Sequence, residues 1–409
     1  MRHWLIHLVV LLLITCPAFA WGNEFRIVPS LSVKEEYNSN VLFSPSSIKR
    51  DFVTTLSPGV EMVNRTERLD TDLSVRLDRL EYADNRALSA TDQMYDGKFK
   101  YAATPLFNIS AEGGYSRSSN PTLDVGTTGI VMATAPWNHI TSSLSADYQL
   151  TEKTAAGVSY SYGRDSYDDP RYLGNTSHDV NAGLVYDLGK HFPATKGRTN
   201  VGYSSYSYPD SRIDSITGTV GFSRDLDEIW SVLVDVGVRH TWSDISVTRQ
   251  VPVYDFFFGF PILLGYELHK EQVKNGGFGW VGSASLNYKG ERSNGDLTCT
   301  RDITPAYGLN GAAERNYLTL STRYRFTYEL SALFSSGYYT LKSAASEFSA
   351  QVINQWTFRI NPGIRYEFSK DMASEASYEY TMVDNQASHS SANRHLFSIR
   401  LNIQYPFLE

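Results

Sequence analysis

The chain of 409 residues is long enough for two ordinary domains or one large all-β domain, and 27 tyrosines and 29 glycines favour the second. A net charge of −7 speaks against nucleic acid as a partner, and two cysteines exclude a disulfide scaffold.

The first twenty residues have the build of a secretory signal. Arg2 supplies the positive start, Trp4 to Thr15 the apolar segment, and Ala18-Phe19-Ala20 the small-x-small cleavage site. Lipidation at Cys16 is a weaker alternative, because Thr15 and Pro17 flank it. Cleavage after Ala20 removes Arg2 and leaves 36 basic against 44 acidic residues, net −8, with Cys299 as the single thiol. The expected organisation is therefore a signal peptide over residues 1–20 and one domain over 21–409. No later apolar run reaches the ~18 residues of a membrane helix.

From Arg26 onward, stretches of ten to fourteen residues alternate apolar with polar or small side chains, the period of a strand lying between two environments. The first are Arg26 to Tyr37, Asp51 to Val63, Leu69 to Leu80 and Asp92 to Ala102. Phe107 to Arg117, Trp137 to Leu150, Thr154 to Arg164, Ser177 to Leu188, Gly197 to Ser207 and Arg212 to Arg224 continue the series. Ile229 to Trp242 is the clearest case, with Trp230, Val232, Val234, Val236 and Val238 on one parity. Gly277 to Lys289, Ser293 to Arg301, Arg315 to Phe326, Leu330 to Leu341, Val352 to Glu367, Met372 to Met382 and His395 to Phe407 complete it.

The tally predicts an all-β fold, a closed antiparallel transmembrane β-barrel of about 18 strands, with 16 as the alternative. Connections such as 64–68, 151–153 and 368–371 are short, whereas 38–50, 118–136 and 383–394 are long, as expected for periplasmic turns and extracellular loops. A soluble sandwich also alternates. Glycine, serine and threonine on the polar faces, and tyrosine and tryptophan near strand ends, favour the membrane. In hydrocarbon every backbone amide needs a partner, so a spanning sheet must close into a ring.

A ring of this size encloses water. Parity then turns Asp70, Asp72, Arg76, Asp78, Lys98 and Lys100 inward from early strands, with Arg315, Arg323, Arg325, Arg359, Arg365 and Arg400 from late ones. These are the candidate channel-lining residues, able to orient polar or anionic solutes. The bland alternative is a wet wall whose charges are neutralised by neighbours such as Glu375 and Glu379. Tyr206, Tyr317 and Tyr339 also point inward, as filler or as platforms for a sugar ring.

Segment 243–276 contains VPVYDFFFGFPILLGYELHKEQV, too apolar for a solvated loop. Extension of its flanking strands ranks first among its expected roles, constriction of the channel second. Enzyme motifs are lacking. His139, Ser143 and Asp147 share one strand face and do not converge, so no catalytic residue is assigned. Asp165, Asp168 and Asp169 lack calcium-loop spacing, so no metal site or cofactor is expected.

The segment EEYNSNVLFSPSSIKRDFVTTLSPGVEM, Glu35 to Met62, resembles the opening of β-barrel porins found with bacterial exopolysaccharide synthesis and export systems. Tyr37, Asn38, Asn40, Asp51, Ser57, Pro58 and Gly59 are the matching positions. The resemblance implies an outer-membrane pore, with polysaccharide and polysaccharide-export proteins as partners and no assigned catalytic residues. Export is the specific expectation. The alternatives are a general diffusion porin for small polar solutes, a barrel enzyme, or a surface structural or adhesin barrel.

The chain ends on Tyr405, Pro406 and Phe407, two residues short of the terminus. This strand is expected to close the barrel against Arg26 to Tyr37. Its terminal aromatic resembles the signal read by the barrel-assembly machinery, which with outer-membrane lipid makes up the remaining expected partners.

Overall fold

The computed structural model describes residues 24–119, 136–258, 260–306, 308–344 and 347–407; the expected signal peptide lies outside them. The chain forms β1 (Glu24–Asn38), β2 (Asp51–Arg65), β3 (Leu69–Tyr82), β4 (Ala90–Thr104), β5 (Phe107–Ser118) and β6 (Trp137–Thr151). It continues with β7 (Thr154–Tyr167), β8 (Asn175–Asp187), β9 (Thr195–Tyr208), β10 (Ser211–Asp225), β11 (Trp230–Phe257) and β12 (Phe260–Lys289). The last six are β13 (Ser293–Pro305), β14 (Ala312–Arg325), β15 (Leu330–Ser343), β16 (Ile353–Ser369), β17 (Met372–Asn385) and β18 (Ser390–Gln404). A three-residue 3-10 turn, Arg86–Leu88, is the helical element among the described residues.

All eighteen strands belong to one sheet, each hydrogen-bonded antiparallel to its chain neighbours, and β1 pairs with β18 to close the ring. Closure runs from Ser30↔Gln404 to Asn38↔Leu396. It extends through Tyr405, whose amide donates to the Pro29 carbonyl at 3.0 Å, and Phe407, whose amide donates to Ile27 at 2.7 Å. The fold is thus the expected transmembrane barrel, with eighteen strands rather than sixteen.

Its outer face is apolar. Leu31 and Val33, Val75 and Leu77, Val236 and Val238, and Ile399 are exposed on the parity opposite to the charges. Aromatic pairs border this belt. Trp230–Tyr288 and Phe107–Tyr148 lie near the short turns, at centroid distances of 4.7 and 6.1 Å. Tyr37–Phe52 and His240–Trp242 lie towards the long loops. Lipid contact explains why large hydrophobics stay uncovered.

Four connections depart from the expected alternation: β9 and β10 are joined by Pro209 and Asp210 alone, β11 runs to Phe257 with β12 starting at Phe260, and the long loop expected over 383–394 is the short turn 386–389, while residues 188–194 form a longer turn at the opposite end. Segment 243–276 is an extension of two strands and not an inward constriction. β11 and β12 pair from Trp230↔Tyr288 to Phe257↔Phe260, with one irregularity between Val253 and Tyr254. β10 leaves β11 at Ile245, so the ribbon runs on alone for twelve residues of β11, roughly 40 Å.

Buried apolar residues form three small clusters near the long-loop end rather than one central core. One contains Val41, Val53, Leu80 and Tyr82, so the first long loop leans onto the inner wall. Asp51 anchors that loop by accepting hydrogen bonds from the amides of Asp84 (3.0 Å) and Asn85 (2.7 Å) and from Asn85 Nδ2 (2.8 Å). Asp51→Ala strands these donors and should cost about 1–3 kcal/mol, read as a lower urea midpoint for the refolded barrel. An unchanged midpoint would show that water replaces the carboxylate freely.

Candidate functional site

Register fixes which side chains share the lumen. Asp70, Asp72, Arg76 and Asp78 alternate along β3 and stand opposite Lys100, Lys98, Met94 and Asp92 of β4. Arg315, Arg323 and Arg325 occupy the corresponding parity of β14, Arg359 and Arg365 that of β16, and Arg400 that of β18. All twelve expected lining residues therefore stand on the inward parity.

The two walls differ in charge. Asp70, Asp72 and Asp78 are continued on β4–β8 by Asp96, Glu112, Asp147, Asp165 and Asp179, while arginines dominate β14–β18. Many of these charges are matched locally. Arg76 meets Asp78 at 3.1 Å, Asp72 meets Arg65 at 3.6 Å, and Arg315 meets Asp302 at 2.6 Å while its guanidinium lies 4.9 Å from the Tyr317 ring. Arg323 and Arg365 share Glu367, at 3.3 and 3.1 Å. Lys98, Lys100, Arg325 and Arg400 are exposed.

Several residues outside the expected set complete the site. Glu379 accepts from Arg359 Nη2 at 2.6 Å and from Arg394 Nη2 at 3.0 Å, and Arg394 is fully buried with its guanidinium 4.9 Å from the Phe43 ring. Lys34 meets Glu36 at 2.8 Å on the neighbouring strand. Arg394 follows the parity of Arg400, and Glu314 precedes Arg315. Both fall one residue before the strand starts expected from sequence, so boundary placement hid them.

The main narrowing element was not expected. β13 and β14 stay paired to Pro305↔Ala312, yet β13 leaves β12 at Arg301, so the hairpin above this point leans into the barrel. There Tyr206 Oη donates to the Ile303 carbonyl at 3.3 Å, Tyr208 Oη donates to the Gly311 carbonyl, and Leu173 N donates to Gly308 at 3.0 Å. The Ala312 amide donates to the Phe348 carbonyl at 2.7 Å, which ties in the loop before β16. Gly311 has φ 129°, and a Cβ there would strike the Phe348 carbonyl, so glycine is required. The strands expected from sequence stop at Arg301 and resume at Arg315, the limits of this hairpin, and periodicity alone gives no sign of the direction in which it leans.

The hairpin also settles what Tyr206 and Tyr339 do: both are buried, Tyr206 beneath the hairpin, and neither offers a free ring face. Tyr317 stacks on Tyr339 at 6.0 Å. Below and beside the hairpin remain two polar cavities. One of about 690 Å³ is lined by Lys289, Asp296, Arg323, Asn361 and Glu375. The other, about 400 Å³, lies between Pro305 and the acidic wall with Lys98, Glu112, His139 and Asp179.

His139 pairs with Asp165 at 2.6 Å and not with Asp147, and Asn175 Nδ2 donates to the same carboxylate at 3.1 Å. The serine–histidine–aspartate set on one strand therefore does not assemble. The described residues contain no cluster of three or more metal-ligating side chains.

No protein-family model matches the chain, and no curated protein is similar to it in sequence. Among solved structures it is similar to OccAB4 of Acinetobacter baumannii, at 11% identity and a TM-score of 0.48 over 94% of this chain and 99% of that one. It is also similar to the outer membrane protein OpdK of Pseudomonas aeruginosa, at 9% identity and a TM-score of 0.45 over 95% and 100%. For the ferric-catecholate import receptor Fiu of E. coli K12 the values are 7% and 0.47, over 94% and 82%. These are likenesses of barrel outline.

Proposed function

We propose that this protein is an outer-membrane channel that passes small polar solutes by diffusion. The observation that supports this most directly is the lumen itself, acidic on one wall, arginine-rich on the other, and narrowed by the β13–β14 hairpin. Opposed charges across a wet constriction orient dipolar solutes without holding them. The narrowing also favours small solutes over a polymer. The apolar belt and its aromatic borders support placement in the outer membrane, with the barrel-assembly machinery as the expected route of insertion.

Export of an exopolysaccharide is the second reading, and it rests on the segment 35–62. There Asn40 Nδ2 donates to the carbonyls of Ser44 (2.9 Å) and Asn393 (3.1 Å), and Asp51 holds the 84–85 turn. These matching residues serve the framework of the first loop. Refolded protein in planar bilayers is expected to give discrete conductance steps, and in liposomes a swelling rate that falls steeply from a pentose to a trisaccharide. Absence of steps under all voltages and salts would overturn the channel. Equal swelling by large oligosaccharides would favour export.

A further inference from the structure

At the long-loop end of β9–β12 the outer wall has a step. β9 and β10 stop at the turn Pro209 and Asp210, while β11 and β12 run on past Ile245 as a ribbon. In the angle between turn and ribbon lies a depression of about 720 Å³, lined by Ser207, Arg212, Trp242, Asp244, Gln272 and Lys274. Ser207, Arg212, Asp244 and Lys274 stand side by side in one register row across the four strands. The row below holds Asp214 and Trp242, and the next Tyr203, Ile216, His240 and Phe278. The depression therefore opens on the lipid-facing parity, directly above the apolar belt.

Three ion pairs surround it: Arg212 with Asp214 at 3.0 Å, Lys270 with Asp210 at 2.8 Å, and Lys274 with Asp244 at 3.8 Å. They leave capacity unused. The Tyr203 hydroxyl donates to Asp214 at 2.7 Å and holds it against the wall, whereas one oxygen of Asp244 has no donor. In each pair the cation is the more exposed partner, as with Lys274 at 80% against Asp244 at 47%. Cationic nitrogens thus lie outermost and carboxylate oxygens behind them. Charges at this height face lipid headgroups, and cations there attract anionic ones.

Trp242 supplies an apolar floor. Its indole is half-buried, with Gly276 opposite it leaving one flank open and His240 meeting it edge-on at 4.4 Å. An indole joins an apolar surface to a polar edge, which suits a ring carrying hydroxyls. Beneath it Val201, Val220, Val236 and Val238 are each more than half exposed and form an aliphatic strip. We propose that this corner binds one phosphorylated glycolipid of the outer leaflet. Its phosphate lies between Arg212 and Lys274, whose Cα atoms are two strand spacings or about 10 Å apart, a gap that both side chains can bridge. A sugar ring covers Trp242 with its hydroxyls towards Asp244 and Gln272, and the acyl chains follow the valine strip. This goes beyond the small-solute reading and does not depend on it, because these side chains face away from the lumen.

The test is native mass spectrometry of the full barrel with three probes: bisphosphorylated lipid A, the same lipid dephosphorylated, and phosphatidylglycerol. One molecule of bisphosphorylated lipid A is expected to stay bound, retained several-fold better than either other lipid. Arg212→Gln combined with Lys274→Gln, and separately Trp242→Leu, should lower that retention about tenfold, with heat-modified gel mobility confirming that each variant folds. Equal retention of the three lipids, a ladder of equivalent adducts, or unchanged retention in the folded variants would each overturn the site. Position is read independently by photo-crosslinking. Gln272→Cys in a Cys299→Ser background, carrying benzophenone, is expected to capture bisphosphorylated lipid A several-fold more than Thr54→Cys, which is exposed on the outer face of β2. Equal capture at the two positions would show ordinary bilayer contact and would also overturn the proposal.

Discussion

Replacing residues 306–311 by an Asn-Gly turn is expected to raise the single-channel conductance several-fold. The replacement removes the hairpin tip that the Tyr208 hydroxyl, the Leu173 amide and the loop before β16 hold within the lumen. Asn-Gly supplies the two positive-φ residues that a tight hairpin needs, so β13 and β14 remain joined. The outer belt and barrel closure lie elsewhere and are untouched. Steps in planar bilayers measure the effect directly. Conductance equal to that of the parent would mean that the bore bypasses the hairpin, and the proposed constriction would have to be abandoned.

The largest stability effect is expected for Glu379→Ala. Glu379 is 5% exposed and serves Arg359, fully buried Arg394 and the Thr381 hydroxyl together. Removing one partner of a buried ion group leaves uncompensated charge, which costs about 3–5 kcal/mol. Arg394 also contacts Phe43, and Asn40 contacts the backbone at Asn393, so the first long loop should loosen with it. The expected readouts are a lower temperature for the heat-modified gel shift and faster proteolysis within residues 39–50. A variant that melts with the parent would show that the arginines find water or other acceptors at little cost.

The barrel was legible because its strands carry one repeated instruction. Trp230, Val232, Val234, Val236 and Val238 could serve only a face that meets something apolar, and the same alternation recurs until the ring is complete. Parity then placed Arg323, Arg359 and Arg400 on the inner face without any knowledge of neighbours. Segment 243–276 was read as an extended pair of strands for the same reason, and it is one.

What escaped was whatever depends on departures from the ring. Glu314 falls just before the strand expected from Arg315, and the inward lean of its hairpin brings it to Arg239 of the inner wall. Tyr206 has the alternation of a lining residue, yet a hairpin from distant strands covers it. Arg394 was lost because it stands one residue before the expected strand start at His395, whereas β18 begins at Ser390. Alternation reports which face a residue occupies and is silent on what another part of the chain lays against that face.

The pairing of β1 with β18 also has a kinetic consequence. Every other neighbour in the ring is consecutive in sequence, so each hairpin forms from local contacts, and only the meeting of Ser30 with Gln404 spans most of the chain. The chain entropy lost in that meeting grows only logarithmically with separation. Two strand edges left bare in hydrocarbon would instead forfeit several kcal/mol for every unsatisfied backbone group. The slow encounter of the two ends must therefore be completed while the edges are still hydrated or held by a helper, and entry into the bilayer and closure of the ring become a single event.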